Sequence, residues 1–194
     1  MESKQHALTI TDLFPDNEAA IQQVAQLLID GFIHSPGAWK DMETALAEVH
    51  ESFGPNNISR IAINEQQQAL GWIAGYSAYD GNVWELHPLV VSIAHQGQGI
   101  GRKLVLDFEE RVKERGALTI TLGTDDEDYR TTLSGVDLYP NIWEHITSIK
   151  NIRRHPYEFY QKLGYVIIGV IPDANGPGKP DILMAKSIAS KATR

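Results

Sequence analysis

The chain has 194 residues, 42% of them hydrophobic and 22% charged, with a formal net charge of −8 and no cysteine. That length and apolar content suit one domain with a sizeable core, residues 1–194, and the lack of cysteine removes any disulfide framework or thiolate metal site. The acidic balance, without a dense Lys/Arg run, speaks against a nucleic-acid partner. No apolar stretch reaches transmembrane length, and the start, "MESKQHALTITDLFPDNEAA", lacks the basic opening and apolar run of a signal peptide. The expectation is a cytoplasmic protein away from any membrane.

From Asn17 to about Phe32, the residues Ile21, Val24, Ala25, Leu28 and Phe32 recur at helical spacing, with Asp16 as the expected N-cap and "HSPG" at 34–37 as the break. Trp39 to about Phe53 reads as a second helix, ended by "GPNN". "ISRIAIN" and "ALGWIAGYSAY", parted by "EQQQ", read as an antiparallel hairpin. "NVWELHPLVVSI" is a longer strand, and Pro88 inside it predicts a bulge or a local loss of pairing.

"AHQGQGIGRKL" follows, with Gly97, Gly99 and Gly101 in close succession. Ile100, Leu104, Val105, Phe108 and Val112 then mark one face of a helix that Gly116 stops. "ALTITLG" is the next strand. Residues 124–152 are polar and show no clear period. "HPYEFYQKLG" predicts a short helix with Pro156 in its first turn and Gly164 past its end. "YVIIGVI" and "DILMAKSI" are the closing strands, joined by "PDANGPGKP". This order predicts an α+β fold around one mostly antiparallel sheet, with a parallel pair about the central helix.

Three glycines in a row of alternate positions need a reason, because glycine costs about 0.5–1 kcal/mol relative to alanine in regular structure. A helix N-terminus offers unpaired amide groups and the positive end of the helix dipole, and glycine lets a phosphate come close. A nucleotide P-loop needs Gly-Lys-Ser/Thr, but Arg102, Lys103 and Leu104 follow Gly101. A dinucleotide fingerprint beginning at Gly97 and Gly99 needs a third glycine where Arg102 stands. What remains is Gln-Gly-Gln-Gly-Ile-Gly, after a strand and at the head of an amphipathic helix.

That loop in that context, together with "EFYQKLGY" downstream, resembles the Gcn5-related N-acetyltransferases. "WELHPLVV", "LGTDD", "TTLS", "DLY", "HPYEFYQKLGY", "PDANG" and the pattern of "KPDILMAK" are similar to the chromosomally encoded aminoglycoside 6'-N-acetyltransferases, from about Trp84 to Lys186. The first eighty residues match only in the order of their elements. The resemblance implies the three-layer α/β/α acyl-CoA N-acetyltransferase fold with splayed central strands. It also implies acetyl-CoA as cosubstrate, a cationic small-molecule amine as acceptor, no metal, and a homodimer. Polyamines, peptide or protein amines, and a non-catalytic acetyl-CoA sensor are the alternatives.

By that resemblance Glu85 is the base or the anchor of the cationic amine; on its own it reads as a surface Glu on a strand. His87, two residues on, shares its face if the strand is regular and is placed to relay a proton. The backbone of Leu89, Val90 and Val91 would hold the oxyanion and the pantetheine arm. Gln96, Gly97, Gln98, Gly99, Ile100, Gly101, Arg102 and Lys103 would cradle the pyrophosphate, with Gln96 standing where arginine is common. Tyr160 would protonate the leaving thiolate, with Tyr157 one turn away as its packing partner or a cofactor contact. Arg153 replaces the usual asparagine of the family, and Asn151 is the substitute.

"GTDDEDYR" carries Asp125, Asp126, Glu127 and Asp128 in succession, with Asp137 nearby. These read either as a solvated loop or as an acidic collar for a cation. The resemblance favours the collar, with Asp125, Asp126, Asp128 and Asp137 as substrate contacts. Trp39 and Trp72 read as core or as a floor for a sugar ring. The seven histidines form no His-Glu-x-x-His pattern, so no metal is expected.

Overall fold

The structure, a computed structural model, describes residues 8–35 and 37–189. The chain divides after Leu118 into two compact units.

The first unit begins with an edge strand β1 (Thr9–Asp12), which the sequence reading did not find. Helix α1 (Glu18–Gly31) and helix α2 (Met42–Glu51) follow. Asn17, not Asp16, caps α1: its side chain accepts from the Ala20 amide at 3.2 Å. Asp41 caps α2, with its carboxylate 2.8 Å from the Thr44 amide. This cap starts α2 three residues later than the apolar pattern suggested, so Trp39 lies in the preceding loop. Pro36, within the expected break, lies outside the described residues.

Strands β2 (Asn57–Ile63), β3 (Ala69–Ala78) and β4 (Val83–Val91) complete a four-stranded antiparallel sheet in the order β1-β2-β3-β4. Helix α3 (Ile100–Glu114) ends the unit. β3 is buried on both faces over most of its length. Trp72 and Ala74 join the apolar cluster formed with α1 and α2. The alternate residues Gly71 and Gly75 meet Leu104 and Phe108 of α3. Helices thus cover both faces of this sheet, the layering expected of the fold. Arg60 in β2 ties the layers, donating from Nε to Asp107 of α3 at 2.7 Å and from Nη1 to Asp12 of β1 at 2.6 Å.

The expected bulge is present in β4. Gly75 pairs with Leu86 and Ile73 with Leu89, so Ala74 alone faces both His87 and Pro88. The extra residue switches the parity of the strand. Glu85 and Val90 therefore share one side of the sheet, although a regular strand would place them on opposite sides.

The second unit holds a three-stranded antiparallel sheet in the order β5-β7-β6, from β5 (Thr119–Asp125), β6 (Val166–Ile171) and β7 (Asp181–Ser187). The long polar region contains the short helix α4 (Ile142–Thr147), which has no apolar period to announce it. Helix α5 (Tyr157–Gln161) is shorter than the sequence suggests, with Pro156 at its N-cap. Ile120, Leu122, Leu133, Leu163, Ile182 and Met184 are buried in this unit.

Candidate active-site elements

In the first unit, the loop between β4 and α3 leaves a run of backbone amides open. Gly97 and Gly99 take the left-handed conformation, with φ of 75° and 83°. A Cβ on either would meet nothing within 4 Å, so glycine is required by the backbone path and not by crowding. The first amide of α3 with a backbone acceptor is Lys103, which reaches the Gly99 carbonyl at 3.0 Å. The amides of Gly97, Gln98, Gly99, Ile100, Gly101 and Arg102 have no acceptor among the described residues. Ile100 is buried and pins the helix start, while Arg102 and Lys103 are exposed beside it. Gln96 and Gln98 fold back, their side-chain amides donating to the carbonyls of Val91 and Ala94 at 3.3 and 3.4 Å. Such a run suits an anionic, phosphate-bearing ligand.

The same unit carries on β4 the two residues expected on the acceptor side. Glu85 and His87 are exposed, alternating with buried Trp84 and Leu86. Glu85 lies across the strand pair from Tyr76 of β3. The Tyr76 hydroxyl donates to Glu48 of α2 at 3.3 Å, and the His87 Nε2 is 3.8 Å from the same Glu48 oxygen. Burial, then the charges of Glu48, Glu51 and Glu85, push the Tyr76 phenol far up, so it remains a donor. The Trp39 ring sits 6.0 Å from the His87 ring, whereas Trp72 is fully buried core with its indole N–H on Ser59 at 2.9 Å. Glu48 and Tyr76 escaped the sequence reading. They lie in different elements, and only the sheet register and the packing of α2 bring them beside β4. Leu89, Val90 and Val91 pair with Ile73, Trp72 and Gly71. Val90 is buried in the apolar cluster of α1 and α2, so its side chain is not available to a ligand.

In the second unit Tyr160 is buried, its ring 5.0 Å from Phe159 and 5.6 Å from Tyr165. Burial pushes its phenol far up. Its hydroxyl has no hydrogen-bond partner among the described residues. A phenol O–H of this kind is free to donate to a ligand. Tyr157 is buried too, its amide donating to His155 Nδ1 at 3.2 Å. Asn151 uses both ends of its side chain on His155, accepting from its amide at 2.7 Å and donating to its carbonyl at 3.0 Å.

The four aspartates of the acidic segment have separate tasks. Asp126 is fully buried, and its two oxygens accept from the amides of Arg130 at 2.7 Å and Thr131 at 2.8 Å. Asp125 is exposed and accepts from Asn175, while its carbonyl oxygen faces His155 Nε2 at 3.1 Å. Asp128 pairs with Arg130 at 2.9 Å on the surface. Asp137 is exposed and accepts from the Tyr139 amide at 3.1 Å. The charge run is therefore not one surface: Asp126 holds the loop from inside, and the others line its outside. Among the described residues no group of three or more His, Asp or Glu side chains is arranged to hold a metal.

Comparison with known proteins adds the family. Residues 13–132 match the family model described as Acetyltransferase (GNAT) family. A solved aminoglycoside 6'-N-acetyltransferase complexed with coenzyme A is 41% identical, with a TM-score of 0.87, over 94% of this chain and 98% of that one. The aminoglycoside 6'-N-acetyltransferase from Enterococcus faecium is 41% identical with a TM-score of 0.85, over 94% of this chain and 98% of that one. An aminoglycoside 6'-acetyltransferase type Ii is 35% identical with a TM-score of 0.73, over 94% and 99% of the two chains. No curated protein matched in a sequence search. No helix among the described residues is long and apolar enough to cross a membrane. The α+β fold read from the sequence is the acyl-CoA N-acetyltransferase fold, and the chain belongs to the GNAT family of acetyltransferases.

Proposed function

We propose that the protein transfers the acetyl group of acetyl-CoA to a primary amine, the 6'-amine of an aminoglycoside, by direct attack in a ternary complex. The observation that carries the reading is the run of unpaired amides from Gly97 to Arg102 in a chain 41% identical to a coenzyme A-bound aminoglycoside 6'-N-acetyltransferase. Acetyl-CoA supplies the activated thioester. The Gly97–Arg102 amides bind its pyrophosphate, aided by the charges of Arg102 and Lys103 and by Gln96. The backbone of Leu89–Val91 holds the pantetheine arm. Asn151 and Tyr157 serve it indirectly, by fixing the segment that leads into α5.

Glu85 binds the cationic acceptor amine and, directly or through water, takes its proton, with His87 as relay. Tyr160 donates its unpartnered O–H to the leaving sulfur. Asp125, Asp128 and Asp137 attract the remaining ammonium groups, and Asp126 supports them from within the loop. We read the whole chain as one N-acetyltransferase domain, because the family match runs across the boundary between the two units. It is read as a cytoplasmic homodimer without metal. Val166, Ile168 and Ile171 on β6 are exposed apolar candidates for the contact, and light scattering of the eluting protein measures the state.

The test is thiol release from acetyl-CoA with purified protein and a panel of amines. Kanamycin- and neomycin-type aminoglycosides are expected to turn over, and an analogue with hydroxyl in place of the 6'-amine is not. Turnover with spermidine alone moves the acceptor to polyamines. Coenzyme A binding with no turnover on any amine refutes the aminoglycoside reading in favour of a sensor or a protein acceptor.

A further inference from the structure

The acceptor side of this site is built on a residue that no motif marks. Glu48 stands on α2, one position before the buried Val49, and its side chain is 16% exposed. One of its oxygens receives the Tyr76 hydroxyl at 3.3 Å and lies 3.8 Å from His87 Nε2. Tyr76 is the cross-strand partner of Glu85, and such partners share a face of the sheet. One carboxylate therefore lies within ion-pair distance of His87 and accepts from Tyr76, the strand position opposite Glu85. The bulge at His87 and Pro88 leaves the imidazole at the point where β4 loses regular pairing, so the strand alone does not fix its direction. Trp39 bounds the ring on another side at 6.0 Å.

We propose that Glu48 is a positioning residue for acetyl transfer, holding the His87 imidazole and the Tyr76 hydroxyl in register with Glu85. This rests on the proposed amine acetylation, in which His87 relays the acceptor proton. The charged and titratable groups facing that assembly are Glu48 and Glu51 from α2, Tyr76 from β3, and Glu85 from β4. Glu48 acts through His87 and touches neither acetyl-CoA nor the sulfur. Its loss is expected in the proton step and the acceptor step, with coenzyme A binding spared.

The test compares the parent with Glu48→Gln, Glu48→Asp and Glu43→Gln. With a kanamycin-type aminoglycoside and thiol release, Glu48→Gln is expected to lower kcat roughly tenfold, a part of the roughly 10²–10⁴-fold that a positioned proton transfer contributes. KM for acetyl-CoA is expected to stay unchanged. Glu48→Asp recovers part of the rate, and Glu43→Gln, the same charge change at an exposed position of the same helix, keeps the parent rate. A parent-like kcat in Glu48→Gln, or an equal loss in Glu43→Gln, overturns the proposal. A second readout needs no acceptor: the ring signals of His87 in labelled protein at one fixed pH move in Glu48→Gln and stay in place in Glu43→Gln. Unmoved ring signals in Glu48→Gln also overturn it. If the parent turns over no aminoglycoside, the proposed substrate fails, while the ring signals still decide the link between Glu48 and His87.

Discussion

Asp126→Asn separates two employments of the acidic segment. Asp126 is fully buried, and each of its oxygens accepts one backbone amide, Arg130 at 2.7 Å and Thr131 at 2.8 Å. Its Ser134 neighbour also reaches the Asp126 carbonyl at 3.4 Å. Asparagine keeps one acceptor and turns an NH2 donor toward the other amide. One charge-assisted bond is lost, about 1.5–3 kcal/mol, and a buried N–H is left without an acceptor, for a total of about 2–4 kcal/mol. In a chain of this size each kcal/mol moves Tm by about 2–4 °C, so a fall of roughly 5–15 °C is expected. The assay is urea and thermal unfolding at neutral pH beside thiol-release kinetics. A loss below about 0.5 kcal/mol with a raised KM for the amine refutes the reasoning, because that pattern belongs to a carboxylate that touches substrate. The pH dependence follows with its sign. Burial alone raises this carboxyl, but hydrogen bonds from Ser134, Arg130 and Thr131 outweigh it and hold it below the usual range. The unfolded chain then binds the proton more readily, so the stabilisation is present above about pH 3.9 and is lost as pH falls through the lower folded value.

Three further outcomes are expected. Tyr160→Phe removes the Tyr160 hydroxyl at little cost in packing, and lowers kcat roughly 10²-fold while coenzyme A affinity by calorimetry stays near the parent value. Gly99→Ala places a side chain at φ of 83°, a strain of roughly 1–2 kcal/mol; coenzyme A binding weakens about tenfold, and an unchanged Kd refutes the cradle. His155 is buried and held below its ordinary value, chiefly by burial, against the pull of the Asp125 carbonyl and the charges of Asp126 and Asp125. Its stabilisation is present above about pH 6.5 and is lost as pH falls through the lower folded value. His155→Gln flattens that acid limb in unfolding curves taken at successive pH values, and an unaltered limb refutes the assignment.

Local chemistry carried much of this protein into the sequence. The 3.6-residue recurrence of Ile100, Leu104, Val105, Phe108 and Val112 is the buried stripe of α3 because an amphipathic helix has only one way to hide it. Gly97 and Gly99 are legible because only glycine takes positive φ freely. Pro88 announces its bulge because proline withdraws an amide from the ladder. Strand β1 escaped because four residues at an edge carry too little pattern, and α4 because an exposed helix needs no apolar face.

The grouping of Glu48, Tyr76, Glu85 and His87 was the work of tertiary structure. Glu48 reads as one more acid on a helix until α2 packs beside β4, and Tyr76 reads as a strand aromatic until register sets it opposite Glu85. Asp125, Asp126 and Asp128 are near-identical neighbours in the chain, yet Asp126 alone is buried, because the loop closes two amides on it and leaves the others outside. Sequence determines which conformations and groups are available within a few residues, through sterics and hydrogen-bonding capacity. Which distant groups share one carboxylate, and which acids lose their water, depends on contacts between elements that no local spacing encodes.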